Sequence, residues 1–207
     1  GTDTGTVTVT VDPVNDAPTG QAAAVLASGT EDQAHVVSAT DLLQGFSDVD
    51  GDSLSVSNLV SSSGTVTDNG DGTYTINPAP NFNGFVTLSF EAVDGQGGAV
   101  AAARTFYVEA VNDAPVSVDD VLTVSEDSSS VLVDVLANDS DVDQDNLTVS
   151  SVVTTGSGVV STDGSQISYE PAPDFHGTET ISYTVDDGNG GTDTATLIVN
   201  VSSVNDA

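Results

Sequence analysis

A long internal repeat is the feature that most constrains the fold of this chain. The segment DVDGDSL at 48–54 returns as DVDQDNL at 141–147, a spacing of 93 residues. DGQGG at 94–98 and DGNGG at 187–191 keep the same spacing. Self-similarity at a fixed period is the sequence signature of a tandem array. The chain of 207 residues therefore predicts two structural units, each long enough for a modest core of its own.

The pentapeptide VNDAP marks the boundaries of these units. It occupies 14–18 and returns unchanged at 111–115, and VNDA stands at 204–207. The segment 1–17 is similar to 191–207, which closes the second unit, so the chain begins with what looks like a final strand. The predicted domains are the last strand of a preceding repeat at residues 1–14, one repeat at 15–111 and a second repeat at 112–207.

Apolar and polar residues alternate in short runs within each unit. YTIN at 74–77 and ISYTV at 181–185 are examples, rich in β-branched and aromatic residues and bounded by Gly, Asp and Asn. Such alternation is typical of half-buried antiparallel strands. No segment keeps a helical period beyond about two turns. We therefore predict an all-β fold, with two tandem seven-stranded β-sandwich domains of the immunoglobulin-like type in an elongated array.

The charge of the chain excludes several classes of partner. There are 32 acidic residues against one basic residue, Arg104, which gives a formal net charge of −31. Proteins that bind nucleic acid or anionic membranes need a basic surface. We therefore expect neither nucleic-acid binding nor membrane insertion. A disordered polyanion is disfavoured, because apolar residues make up 37% and alternate with Thr and Ser. A folded chain that binds cations remains.

Three acidic signals recur once in each repeat, in addition to the Asn-Asp of the linker. They are a Thr/Ser-Glu-Asp tripeptide, a D-x-D-x-D loop and the Asp of D-G-x-G-G. Calcium takes about six to eight oxygen ligands, and carboxylate, amide and backbone oxygens all serve. Without a cation, two carboxylates about 4 Å apart repel by roughly 4 kcal/mol at an effective dielectric near 20. The pattern therefore predicts Ca²⁺ sites.

Two well-known types of calcium loop do not match. An EF-hand loop needs Gly at its sixth position and Glu at its twelfth. Counted from Asp48, these positions hold Ser53 and Leu59, and the second loop fails in the same way. The GGxGxD nonapeptide of calcium-binding β-rolls does not occur.

The order of the strands indicates where the acidic signals lie. In an up-and-down count of seven strands, the Glu-Asp tripeptide closes the first strand, at the end where the chain leaves the domain. The D-x-D-x-D loop follows the second strand and D-G-x-G-G joins the sixth to the seventh, so both lie where the chain enters. Acidic residues of one repeat and the next would therefore converge on the linker between them, which predicts a metal-bridged domain junction.

The predicted ligands form three sets. The middle junction combines residues of the first repeat, the linker and the second repeat: Glu31, Asp32, Asn112, Asp113, Asp141, Asp143 and Asp187. The first junction contributes Asn15, Asp16, Asp48, Asp50 and Asp94, and the last contributes Glu126, Asn205 and Asp206. Asp52 and Asp145 serve a separate site within the loop or face solvent.

Together, the Asn-Asp-Ala-Pro linker, the acidic residue that ends the first strand and the D-x-D loop resemble cadherin repeats. The chain is most similar to the cadherin-like tandem repeats of large bacterial RTX surface adhesins, which are secreted by type I machinery. VLANDSDVDQDNLTV at 135–149 carries this likeness. The resemblance implies calcium-rigidified extender (spacer) modules at the bacterial cell surface that support cell adhesion and biofilm formation. Asp119 and Asp120 have no counterpart in the first repeat, so they receive no ligand role.

The expected partners are calcium ions and neighbouring repeats of the same chain, and the isolated chain is expected to be a monomer. An enzyme is not expected, because no pairing of a nucleophile with a base recurs in both repeats. The alternative function is a ligand-binding module that contacts a glycan or a partner protein directly. The absence of Trp and the presence of only four Tyr argue against sugar stacking.

Overall fold

The computed structural model describes residues 1–205, so the predicted ligand Asp206 lies outside the described range. The chain divides into two compact units, Gly1–Val111 and Asn112–Ala207. In each unit a four-stranded sheet and a three-stranded sheet enclose one hydrophobic core. The prediction of an all-β chain with seven-stranded sandwiches is confirmed, with one short helix in unit 1 as an addition.

Unit 1 contains nine strands and one helix. They are β1 Thr19–Gly20, β2 Gly29–Thr30, β3 His35–Ser38, α1 Ala39–Leu43, β4 Phe46–Ser47, β5 Ser55–Ser61, β6 Thr65–Asp68, β7 Thr73–Asn77, β8 Gly84–Val93 and β9 Ala99–Glu109. The sandwich sheets have the orders β2-β9-β8-β5 and β3-β7-β6, and β1 pairs with β4 separately. Only the β2–β9 pair is parallel.

The described residues of unit 2 form seven strands. They are β10 Asp120–Ser125, β11 Val131–Val133, β12 Thr148–Thr154, β13 Val159–Thr162, β14 Ile167–Glu170, β15 Gly177–Asp186 and β16 Thr192–Ser202. Their orders are β10-β16-β15-β12 and β11-β14-β13. Strands β10 and β16 run parallel, as β2 and β9 do in unit 1. The two units therefore share one topology.

Alternation along the strands builds the two cores. In β8 the side chains of Val86, Leu88 and Phe90 are buried, whereas Phe85, which precedes them, and Ser89, which lies between Leu88 and Phe90, are exposed. Burying one such apolar side chain stabilises the fold by about 1.5–3 kcal/mol. Strands β14, β15 and β16 supply the equivalent side chains in unit 2, among them Tyr169, Tyr183 and Leu197.

The opening strands of the two units differ. Strand β10 pairs with β16 over six residues, whereas β2 pairs with β9 only at Val108 and Glu109. The chain before β2 is held elsewhere, because Gln21 N donates to Gly45 O and Ala23 N donates to Gln44 O. In unit 1 the opening segment therefore pairs with β9 only at the C-terminal end of that strand.

Residues 1–14 form no strand and are exposed. A strand needs hydrogen-bonded neighbours, and among the described residues no strand pairs with this segment. Its assignment to a preceding repeat stays a prediction.

Candidate metal centre

The D-x-D-x-D loops fold around their first aspartate. In unit 1, Asp48 Oδ1 accepts hydrogen bonds from the backbone N–H groups of Asp50 at 2.8 Å and Asp52 at 3.4 Å. An aspartate that bonds to the backbone two residues later forms an Asx turn, which curls the loop. One carboxylate oxygen from each of the three aspartates consequently lies within 4.8 Å of the others.

The second loop repeats this arrangement. Asp141 Oδ1 accepts from the N–H groups of Asp143 at 2.8 Å and Asp145 at 3.3 Å. Carboxylate oxygens of these three residues also lie within 4.8 Å of one another. The same geometry arises with Gly51 in the first loop and Gln144 in the second, both at positive φ, so it does not require a glycine at that position.

The first aspartate of each loop has one oxygen without a hydrogen bond. Asp48 Oδ2 and Asp141 Oδ2 are buried and have no hydrogen-bond partner among the described residues. Leaving a buried polar atom unsatisfied costs about 1–3 kcal/mol, and more for a charged group. A cation bound to these oxygens would remove that cost.

The third aspartate of each loop is a residue that the sequence analysis did not place in the junction. Asp52 and Asp145 join the clusters, because the Asx turn brings the fifth residue of the loop back to the first. Burial raises the pKa of Asp52, and the negative charges of Asp48, Asp94 and Asp50 raise it further. The i, i+2, i+4 spacing of aspartates was the signal that could have identified both residues.

The linker asparagine is bound to the D-G-x-G-G loop. Asn15 Nδ2 donates to Asp94 Oδ2 at 2.8 Å, and Asn112 Nδ2 donates to Asp187 Oδ2 at 2.7 Å. With its nitrogen engaged in this way, each asparagine retains its amide oxygen as the atom able to bind a cation.

Asp187 is held in the charged form by hydrogen bonds. The hydrogen bond from Asn112 is the largest effect that lowers the pKa of Asp187, and it acts with the N–H groups of residues 189–191 against the effect of burial. The last glycine of the motif makes room for this carboxylate, because a Cβ at Gly191 would lie 2.2 Å from Asp187 Oδ2. Asn15 lowers the pKa of Asp94 in the same way.

The linker aspartate is bound through its backbone. Asp16 N donates to Asp50 Oδ2 at 2.8 Å in unit 1, and Asp113 N donates to Asp143 Oδ2 at 2.8 Å in unit 2. Each Asn-Asp pair is therefore attached to both acidic loops of the unit that it enters. The structure brings together the predicted ligands at the entry end of each unit: Asn15, Asp16, Asp48, Asp50 and Asp94 in unit 1, and Asn112, Asp113, Asp141, Asp143 and Asp187 in unit 2.

The glutamates that follow the first strands lie where the chain leaves each unit. Glu31 is only 2% exposed and accepts from Val111 N at 2.5 Å. Glu126 is 5% exposed and accepts from Val204 N at 2.7 Å. Its other oxygen lies 3.4 Å from His176 Nδ1. Each unit thus carries a buried carboxylate directly before the next Asn-Asp.

Asp32 has a different hydrogen-bond partner. Asp32 Oδ1 accepts from Asn81 N at 3.1 Å, and the equivalent Asp127 accepts from Asp174 N at 3.2 Å. Both aspartates therefore hold the turn that precedes the sixth sandwich strand. A ligand role for Asp32 stays a prediction, as does one for Asn205.

Each unit matches a different family model. Residues 14–109 match the family described as Cadherin-like domain, and residues 112–200 match the Bacterial Ig domain. No curated protein matches the chain. The predicted cadherin-like and immunoglobulin-like character of the tandem domains is confirmed. Such domains are non-catalytic and typical of extracellular, adhesin-type repeat modules.

Solved structures match the chain at low sequence identity. Human mucin-like protocadherin EC1-2 is 16% identical with a TM-score of 0.53, over 90% of this chain and 98% of that one. The human desmocollin-1 ectodomain is 11% identical with a TM-score of 0.45, over 92% of this chain and 41% of that one. An endo-fucoidan hydrolase of glycoside hydrolase family 107 is 19% identical with a TM-score of 0.37; 95% of this chain matches 30% of its length. None of the described residues form a helix long and apolar enough to span a membrane.

Proposed function

Because the chain joins a cadherin-like domain to a bacterial Ig domain, we propose that it is a calcium-rigidified extender of a secreted bacterial cell-surface adhesin. Its two domains would be spacer repeats that support cell adhesion and biofilm formation. The observation that carries the proposal is the duplicated acidic centre, in which the linker Asn-Asp is hydrogen-bonded to both acidic loops of its unit.

The donor set suits calcium. Each centre offers carboxylate and amide oxygens only, which are the ligands of a hard cation. The buried Oδ2 atoms of Asp48 and Asp141 lack hydrogen bonds, so a cation would satisfy them without displacing any existing donor. Asp52 and Asp145 supply further carboxylates beside them. When bound, calcium would neutralise part of the charge of these loops and fix their conformation.

The covalent order of the chain supports a shared site. Glu31 accepts from the backbone N–H of Val111, the last residue of unit 1, and the side-chain Nδ2 of Asn112 donates to Asp187 in unit 2. Val111 and Asn112 are consecutive in the chain, and on this order alone Glu31 is proposed as the carboxylate that the first repeat contributes. An ion that binds only the aligned domains would favour that state by about 1.4 kcal/mol per site when calcium is at ten times its dissociation constant.

The remaining elements of the proposal follow from this role. The partners are calcium ions and neighbouring repeats of the same chain. The chain works outside the cell, at the bacterial surface, after secretion by a type I system of the RTX kind. It binds no nucleic acid and does not insert into the membrane.

A calcium titration of three proteins tests the proposal. Asp141→Asn removes one charge from the second loop, and Asp3→Asn is the matched control because Asp3 lies in the exposed segment before unit 1. We expect calorimetry to show weaker or fewer bound ions for Asp141→Asn, by about tenfold or more in affinity, with Asp3→Asn unchanged. Small-angle scattering of the unmodified chain should give a larger maximum dimension with calcium than with chelator. Equal calcium binding by Asp141→Asn and Asp3→Asn, or a dimension independent of calcium, would count against the extender.

An exposed aromatic pair favours the alternative function as a direct binding module. Phe85 and Tyr107 lie edge to face at 5.1 Å between ring centroids, and Phe85 is 73% exposed. The equivalent residues of unit 2 are Thr178 and Asn200, so the fold does not require aromatic rings at these positions. A glycan array would show calcium-independent binding that is lost in Phe85→Thr if this pair forms a saccharide platform.

A further inference from the structure

The exposed aromatic pair of unit 1 has polar neighbours on both sides along strands β8 and β9. Phe85 pairs with Tyr107 across the two strands, and Thr87 pairs with Thr105 directly beside them. Glu109 follows Tyr107 by two residues, so its side chain leaves the sheet on the same side. At a rise of about 3.4 Å per residue, hydroxyl groups, two rings and a carboxylate lie within about 14 Å. These five residues form the aromatic face of unit 1.

Unit 2 shows that the fold does not need the rings or the carboxylate at these positions. The residues equivalent to Phe85 and Tyr107 are Thr178 and Asn200, and Thr178 Oγ1 donates to Asn200 Oδ1 at 3.1 Å. Ser202 replaces the glutamate, and its hydroxyl donates to the backbone oxygen of residue 124 at 3.1 Å. In unit 1 the two rings are instead 73% and 38% exposed. Exposed apolar side chains with a polar rim mark binding surfaces.

The charges of the chain determine which kind of ligand suits the aromatic face. Glu109 is exposed, whereas Glu91, the other acidic residue on this side of β8 and β9, accepts from Asn58 Nδ2 at 2.7 Å. The chain has no lysine, and its single arginine, Arg104, is buried and donates to backbone carbonyls. Glu109 therefore has no lysine or arginine partner within the chain. The net charge of −31 attracts cationic ligands and repels anionic ones.

A sugar that carries an ammonium group matches the three kinds of side chain on this face. The apolar C–H side of a sugar ring packs against an aromatic ring, and its hydroxyl groups form hydrogen bonds with the two threonines. The ammonium group pairs with the carboxylate and is attracted to the faces of the rings. A lysine side chain would use the rings and the carboxylate but has no hydroxyl groups for Thr87 and Thr105. Among cationic ligands, the face therefore favours an amino sugar over a basic peptide.

We propose that the aromatic face of unit 1 binds a protonated amino-sugar polymer, with one sugar ring on Phe85 and its ammonium group at Glu109. The proposal rests on the alternative function as a direct binding module, and it does not depend on the calcium sites. Unit 2 lacks the rings and the carboxylate, so it is not expected to contribute such a site. Because part of the attraction is between charges, sodium chloride should weaken the binding.

Calorimetric titration of the full chain with a glucosamine tetramer tests the proposal. The buffer contains chelator and about 0.15 M sodium chloride, which screens diffuse attraction to the acidic chain. Phe85→Thr places the unit 2 residue in unit 1 and should weaken binding by about tenfold or more. Glu109→Gln should weaken it by about threefold and reduce its dependence on salt. The matched control is Val153→Thr, which removes a 63% exposed apolar side chain from unit 2 and should change nothing.

Two further ligands separate the amino-sugar proposal from the binding module on which it rests. The N-acetylated tetramer is neutral and should bind about tenfold more weakly than the glucosamine tetramer. If it binds equally well and still requires Phe85, the binding module stands and the amino-sugar proposal fails. A lysine tetrapeptide that binds as tightly as the glucosamine tetramer would also overturn the proposal.

The remaining outcomes concern the site itself. Binding of the glucosamine tetramer that Phe85→Thr leaves unchanged would be diffuse attraction to the acidic chain, and the proposal would fail. If no saccharide binds, both the amino-sugar proposal and the binding module are wrong, whereas the calcium-dependent extender is unaffected. Equal melting temperatures of Phe85→Thr and Val153→Thr would establish that a loss of binding does not arise from unfolding.

Discussion

At the scale of single residues, hydrogen bonds decide which acidic groups are prepared to bind a cation. Asp187 already receives several donors, whereas Asp141 keeps one buried oxygen without any. The Asp187 carboxylate therefore orders the linker and the loop. The Asp141 carboxylate, with its unsatisfied oxygen, gains more from a bound cation. Asn112 serves both roles, because its side-chain nitrogen donates to Asp187 while its amide oxygen can bind a cation.

Replacing the linker asparagine should change the pKa of its aspartate partner. In Asn112→Ala the pKa of Asp187 rises, because the hydrogen bond that contributes most to lowering it is lost. Carboxyl-carbon NMR in chelator would measure this shift, with Asp94 in the same spectra as an internal control. An unchanged pKa of Asp187 would mean that the hydrogen bond to Asn112 is not formed in solution.

A buried carboxylate in unit 2 should make the stability of that unit depend on pH. Burial alone would raise the pKa of Glu179, but hydrogen bonds from Ser157, Tyr169 and Gly158 outweigh it and hold the pKa below its ordinary value. The charged form is therefore the stabilising one. Its contribution is complete above the ordinary glutamate pKa of about 4.3 and is lost as the pH falls through the lower pKa of the folded state.

The expected change is a loss of about 1–3 kcal/mol of unfolding free energy in Glu179→Gln near neutral pH. The gap from the unmodified chain should close progressively in acid. Urea denaturation of both proteins over a range of pH, always with chelator, measures it. A gap that stayed constant down to strongly acidic pH would mean that folding does not lower the pKa of Glu179.

At the scale of elements, unit 1 depends on a contact that unit 2 lacks. Helix α1 has five residues, too few to persist alone. Ser38 accepts from Asp41 N at 3.0 Å and caps its beginning, while Arg104 donates to the carbonyls of Leu42 and Gln44 at its end. Arg104 also donates to Ala24 O, so one side chain ties the opening chain and the helix to β9.

Removing this guanidinium should destabilise unit 1 selectively. Arg104→Met keeps the bulk of the side chain but leaves buried carbonyls without donors, at an expected cost of about 2–4 kcal/mol. The equivalent residue of unit 2 is Leu197, and Leu197→Met is the matched control with an expected loss below about 1.5 kcal/mol. Denaturation followed by NMR signals of each unit separates the two effects. Equal losses in both variants would show that Arg104 acts only by filling space.

Local patterns explain which features the sequence could predict. The alternation in strands such as β8 and β15 is local, so the seven strands of each sandwich could be predicted, and their order placed the acidic motifs at the correct ends. The short length of β2 could not be predicted, because it depends on the hydrogen bonds that the preceding residues form with other parts of the unit. The sequence left the roles of Asp52 and Asp145 open, because the backbone geometry of the turn brings them back to the cluster. Arg104 stands where the second repeat has Leu197. This difference was a signal that the buried side chain of unit 1 has polar partners, which the structure places at the end of helix α1.

At the scale of the whole molecule, repulsion among carboxylates opposes folding. A net charge of −31 raises the energy of any compact state, and salt screens this repulsion over a Debye length of about 10 Å at 0.1 M. The acidic clusters concentrate the effect at the entry end of each unit. A bound cation relieves it locally, whereas monovalent salt relieves it everywhere.

The melting temperature should therefore depend on salt in a way that calcium modifies. In chelator, we expect sodium chloride to raise the melting temperature steadily, because it weakens repulsion within the folded chain. With saturating calcium the melting temperature should be higher and its dependence on sodium chloride weaker. Calorimetric scans across a salt series measure both trends. A salt dependence identical with and without calcium would argue that the ions do not bind the acidic clusters.

The burial of Arg104 has a consequence for proteolysis. The chain contains no lysine and this single arginine, which is 3% exposed, so trypsin has one cleavage site and the folded chain hides it. Cleavage after Arg104 requires β9 to leave the sandwich, and its rate reports the opening of unit 1 alone. Unit 2 offers trypsin no site even when unfolded, so a single cut after Arg104 would leave it intact within the fragment of residues 105–207, and the yield of that fragment counts the opening events.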